Sequence, residues 1–124
     1  DILNFAGRLH DIGKIGVRDD ILLKPGRLTD KEFDKIKEHP VIGASIVGHL
    51  GLWEREQLII RHHHERFDGT GYPGHQKKDE IHLFARIIRV ADAFDAMILD
   101  RPYRSSLPKE DIIAAWIKIS LLPE

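Results

Sequence analysis

The sequence has no cysteine, which excludes disulfides, zinc–thiolate sites and thiol nucleophiles together and fits a reducing, cytoplasmic setting. It lacks any apolar run approaching the ~18–20 residues of a membrane-spanning helix, and nothing at its start reads as a charged-then-apolar secretory signal. Net charge is almost absent: 19 lysines and arginines against 20 aspartates and glutamates leave −1. No global field therefore draws in nucleic acid or an anionic membrane, and neither is expected as a partner. A phosphate ligand would have to be held by local cations. Internal repeats and strand patterns longer than a few residues are missing as well.

What is present is an ordinary globular composition. The 124 residues are 42% hydrophobic and 31% charged, enough for one domain with a single core. Histidine is the conspicuous residue: there are eight, three of them consecutive at His62, His63 and His64. Without cysteine, a metal site here must use imidazole and carboxylate, the ligand set suited to iron, manganese or zinc.

Apolar spacing predicts a helix over residues 2–10, broken by Gly13 and Gly16. Residues 15–23 are short and mixed, and Lys24-Pro25-Gly26 marks a turn. Thr29-Asp30-Lys31-Glu32 is a capping box, in which the Thr29 hydroxyl and the Glu32 carboxylate satisfy free amides at a helix start. Pro40 suits a first helical turn, so His39 is expected at a helix junction, with the helix continuing to about Leu50. A further helix is expected over residues 53–66, followed by the glycine-rich loop Asp68-Gly69-Thr70-Gly71-Tyr72-Pro73-Gly74, which neither a helix nor an interior strand accepts. Residues 81–98 read as the most buried helix, and Pro108 opens a last one through Trp116. The expectation is an all-α bundle with one functional loop. The chain opens inside a helical pattern without an initiator methionine, and its last apolar pattern simply stops. Residues 1–124 are therefore expected to be a single domain cut at both ends of a longer protein.

The residues that carry chemistry are His10, Asp11, His39, His63, His64 and Asp92, expected as the inner shell of a two-metal site that hydrolyses a phosphate ester. His10 and Asp11 are neighbours at a helix end and point about 100° apart, so they suit two ions side by side with the carboxylate between them. The His62–His64 run sweeps most of a helix circumference, so at least one imidazole faces inward. Glu65 is placed to orient one of them. Asp92 lies in the most apolar helix, where a carboxylate needs a cation: a salt bridge to Arg86 or Arg89, or a metal. His39 is the weakest of the set on spacing alone, and His49, His75 and His82 read as ordinary surface or packing residues. Two divalent ions acidify a bridging water and hold phosphate oxygens. Lys14, one turn from Asp11, and Arg101 with Arg104 supply the cations such a substrate needs.

Taken in order, His10-Asp11-Ile12-Gly13-Lys14, His39-Pro40, His63-His64-Glu65, Asp68 to Pro73, and Asp92 to Asp95 followed by Arg101-Pro102-Tyr103-Arg104 resemble the HD-GYP domain, the glycine-tyrosine-proline subgroup of the HD phosphohydrolases. The resemblance covers nearly the whole chain. It implies an all-helical bacterial phosphodiesterase of two-component signalling that binds two or three divalent ions, typically iron or manganese, and opens cyclic di-GMP to pGpG and in some members on to GMP. It implies that Asp11 bridges the ions, with His10 and Asp92 on one and His39, His63 and His64 on the other. It favours His63 and His64 over His62, since the family's ligand pair immediately precedes the glutamate. Lys14 would touch the attacking hydroxide or a phosphate, Arg101 and Arg104 the substrate phosphates, and Tyr72 the edge of the substrate cleft. The loop is also implicated in contacts with GGDEF-domain proteins, and a receiver or sensor domain is expected ahead of this one in the parent. The alternative is an incomplete module that binds the nucleotide or a GGDEF partner without cleaving. Family members carry a further histidine, sometimes with a glutamate, upstream of the His-Asp pair, and residues 1–9 contain neither.

Overall fold

The computed structural model describes residues 1–51, 54–98 and 108–120, and among these residues every regular element is helical. Helix α1 (Ile2–Leu9) is capped by the Asp1 carboxylate, which accepts from the amides of Leu3 and Asn4. Gly13 and Gly16 do not leave an open break: Ile12–Gly16 winds as a 3-10 helix. The mixed stretch beyond it contains one short helix, α2 (Asp19–Leu22). Helix α3 (Asp30–Ile36) starts on the expected capping box, with Thr29 and Glu32 bonded reciprocally. Helix α4 (His39–His49) has His39 at its first position, at a junction as expected.

Helix α5 (Glu54–His62) ends earlier than its apolar pattern suggests, leaving His63 and His64 in a turn and Glu65 and Arg66 in irregular structure. The physical reason is a competing hydrogen bond. The His63 ring Nδ1 donates to the Ile60 carbonyl at 2.7 Å, the acceptor that a continuing helix would give to the amide of His64. After the loop, Lys78–Glu80 forms a 3-10 turn, and α6 (Leu83–Ile98) begins where the His82 Nδ1 accepts from the amide of Phe84 at 3.1 Å. Helix α7 (Lys109–Ser120) runs past Trp116. Arg101 and Arg104 lie outside the described residues, as does Trp53.

The core is Ala6 of α1, Val47 of α4, Ile59 and Ile60 of α5, Ile81, and Ala85 and Ile88 of α6, with Ile2, Leu3, Leu9, Ile12 and Phe84 packed on it. Ile59 and Ile60 are fully buried, each worth about 1.5–3 kcal/mol of transfer from water. Helix α5 is the centre of the bundle, touching α1, α4 and α6. Helix α4 also packs on the 3-10 segment, and small residues set how closely. A Cβ on Gly13 would overlap the His39 carbonyl, and one on Gly43 would press on Ile60 and Gly13. This close approach brings Asp11 against His39 at the N-terminus of α4. No helix among the described residues is long and apolar enough to cross a membrane.

Candidate metal centre

Three histidines reach the site by the same local device. The Nδ1 of His10 bonds the Gly7 carbonyl, that of His39 the Ile36 carbonyl and that of His63 the Ile60 carbonyl, each at 2.7 Å and each three residues back. A carbonyl only accepts, so each Nδ1 carries its proton, and a ring that is neutral presents a bare Nε2 lone pair. The carbonyls are those left over where α1, α3 and α5 end. His49 makes a similar bond to the Ser45 carbonyl at the end of α4 but stands exposed, so capping alone does not make a ligand.

The lone pairs converge. His39 Nε2 lies 3.4 Å from His63 Nε2 and 3.2 Å from Asp11 Oδ1. On the other side of the same carboxylate, His10 Nε2 is 3.5 Å from Asp11 Oδ2 and 3.9 Å from Asp92 Oδ1. Ligand atoms thus fall into two groups, Asp11–His39–His63–His64 and His10–Asp11–Asp92, each spanning no more than 4.8 Å. Asp11 belongs to both, one oxygen turned to each. Asp92 turns to His10 rather than to an arginine. Arg86 instead pairs with Asp79.

Electrostatics agree with a cation site. Burial alone would raise the Asp11 carboxyl, but a hydrogen bond from the His39 ring, made when its Nε2 is protonated, and the Lys14 ammonium hold it well below the usual carboxylate range. The His10 side chain lowers Asp92, and Asp92 in turn raises His10. Burial pushes His63 down to about 4 and also lowers His64, so both are neutral near pH 7 and competent as ligands. The buried His10 Nε2 has no hydrogen-bond partner among the described residues. An orphaned buried ring nitrogen beside two carboxylates fits a divalent ion. The residues present could therefore hold metal.

Other expectations need correction. Glu65 does not orient an imidazole. It is buried, and its carboxylate accepts from the amides of Gly74 and Gln76, pinning the glycine-rich loop. The loop is held at its other edge by Tyr72, whose ring stacks on His64 at 4.9 Å and whose amide donates to the His64 carbonyl. His62 is buried but belongs to neither ligand group. Lys14 is ion-paired with Asp11. Sequence reasoning missed Arg89 as a site residue. Its Nη1 lies 3.2 Å from His64 Nδ1, and its three-residue spacing from Asp92 was the signal that could have found it.

A family model described as the HD domain matches residues 2–116. The chain is 47% identical over 111 residues to a cyclic di-GMP phosphodiesterase of Thermotoga maritima, covering 88% of this chain and 30% of that protein. It is 43% identical over 117 residues to the cyclic di-GMP phosphodiesterase response regulator RpfG of Xanthomonas campestris, covering 91% of this chain and 30% of that protein. It is also 42% identical over 112 residues to the 3′3′-cGAMP-specific phosphodiesterase 3 of Vibrio cholerae, covering 90% of this chain and 24% of that protein. The chain spans less than a third of the length of these relatives. With its His10-Asp11 pair and its Gly71-Tyr72-Pro73 loop, the chain belongs to the HD-domain family and is of the HD-GYP type.

Proposed function

We propose that this chain is the catalytic unit of a metal-dependent phosphodiesterase that hydrolyses cyclic di-GMP in bacterial second-messenger signalling. The observation that carries the reading is Asp11, one carboxylate shared by two ligand groups that are otherwise separate. In this reading His10 and Asp92 hold one ion and His39, His63 and His64 the other. The ions are iron or manganese, two in number, or three if residues outside this chain add ligands. Ions so held supply Lewis acidity toward the phosphate and acidify water. Asp11 keeps its charge because the imidazole and ammonium beside it favour the carboxylate. Lys14, anchored on Asp11, offers its remaining donors to the incoming water or to a phosphate oxygen. Tyr72 borders the cleft, and Arg101 and Arg104 neutralise the phosphates.

Water adds to phosphorus, the bond to the 3′ oxygen breaks and that oxygen takes up a proton. The ring opens to linear pGpG, and a second hydrolysis gives GMP. A receiver or sensor domain regulates the parent, the glycine-rich loop docks GGDEF-domain proteins, and the protein works in the cytoplasm. The test is turnover of cyclic di-GMP by the metal-loaded parent and by its Asp11→Asn variant. Loss of activity in the variant is expected, and an inactive metal-loaded parent overturns the proposal. A second reading takes 3′3′-cGAMP as the substrate, favoured by the Vibrio cholerae relative of that specificity. Both nucleotides in one panel decide between them.

A further inference from the structure

Arg89 stands one helical turn before Asp92 on α6, so its side chain shares the face of that helix that carries a ligand. Among the described arginines, Arg18, Arg66 and Arg86 pair with carboxylates. Arg8, Arg27, Arg55 and Arg61 have no carboxylate in ion-pair range among the described residues, and all four are exposed to water. Arg89 also has none there, yet it is half-buried. A partly desolvated guanidinium without a counter-charge is costly unless an anion arrives. Among the described residues its hydrogen bond runs from Nη1 to the His64 Nδ1 lone pair at 3.2 Å, a neutral acceptor that does not compensate the charge.

We propose that Arg89 is a substrate-binding residue that grips a phosphate of the dinucleotide at the edge of the metal centre. The inference rests on the phosphodiesterase reading and adds a cation to the site besides Lys14, Arg101 and Arg104. The contact with His64 explains how it is held in readiness. When His64 serves as a ligand, its lone pair is no longer shared with Arg89, and the guanidinium is released toward the phosphate bound beside it. The planar fork can then make paired charge-assisted bonds, which a lysine ammonium does not reproduce.

The experiment compares the full-length parent with its Arg89→Met and Arg89→Lys variants, measuring metal content and the Kd for cyclic di-GMP, 3′3′-cGAMP and inorganic phosphate. Arg89→Met is expected to retain its metal and to bind both nucleotide and phosphate roughly ten- to a hundredfold more weakly. Arg89→Lys should recover only part of that loss. Unchanged affinities in Arg89→Met overturn the inference. Loss of metal from that variant also overturns it, since Arg89 would then be a positioning residue for His64. A parent that binds neither nucleotide defeats the phosphodiesterase reading instead, and the phosphate arm still decides the role of Arg89.

Discussion

The Nε2 atoms of His39 and His63 face each other at 3.4 Å, and each ring donates its Nδ1–H to a backbone carbonyl. Where both rings are neutral, lone pair opposes lone pair, an arrangement that a cation relieves. Adding Mn2+ or Fe2+ to metal-free protein is therefore expected to raise Tm by several degrees. An ion at a hundred times its Kd contributes about 2.7 kcal/mol, and each kcal/mol moves the Tm of a domain this size by roughly 2–8 °C. His39→Ala, which removes a ligand from only one of the two groups, should reduce the shift. A Tm that ignores every divalent ion tested would count against the metal centre.

The parts of this site that were legible in the sequence are those fixed by local chemistry. The capping box at Thr29 and Glu32 and the junction at His39 depend on a few adjacent residues, and both formed as expected. The end of α5 was not legible, because it is decided by the His63 ring taking the Ile60 carbonyl, a side-chain choice that apolar spacing does not encode. Glu65 was misassigned for a related reason. Its partners, the amides of Gly74 and Gln76, are nine and eleven residues away and come within reach only after the loop folds back. Arg89 was read as a possible salt bridge to Asp92. Which neighbour it meets depends on where the turn after α5 places His64.

The 3-10 segment carrying Asp11 is seated on α4 through Gly13, and that contact has no room for a side chain. Gly13→Ala would drive a methyl group into the His39 carbonyl and the Gly43 amide, both rigid backbone. A loss of at least about 2 kcal/mol is expected in urea unfolding. Gly7→Ala is the control: nothing lies within 4 Å of a Cβ there, and the position is inside α1. It should stabilise by about 0.5–1 kcal/mol through helix propensity. Equal effects at the two positions would refute the close seating.

Glu65 ties the loop to the ligand-bearing turn. Replacing it with alanine strands two amide donors, each costing about 1–3 kcal/mol where it remains buried. Hydrogen exchange should show the Gly74 and Gln76 amides losing protection by roughly tenfold or more. Asp68→Ala, which removes the exposed bonds to Thr70 and the exposed Arg66 ion pair, should leave those two amides unchanged. Retained protection in Glu65→Ala would mean that something other than this carboxylate holds the loop.

Acid sensitivity should appear far from the metal ligands, at the start of α3. The Lys24 ammonium and then the Thr29 amide hold the Glu32 carboxyl down to about 2, against an ordinary value near 4.5. A carboxyl depressed in the folded state takes up its proton more readily when unfolded, so the unfolded chain gains protons first as pH falls. The stabilisation is fully present above about pH 4.5 and is lost as pH drops toward 2. Glu32→Gln removes this titration while keeping most of the side chain's shape. Tm measured between pH 5 and pH 2 should therefore fall less steeply in Glu32→Gln than in the wild type, with the wild type more stable at the upper end. Parallel curves across that window would mean that Glu32 gains no more from Lys24 and Thr29 in the folded chain than it does in the unfolded one.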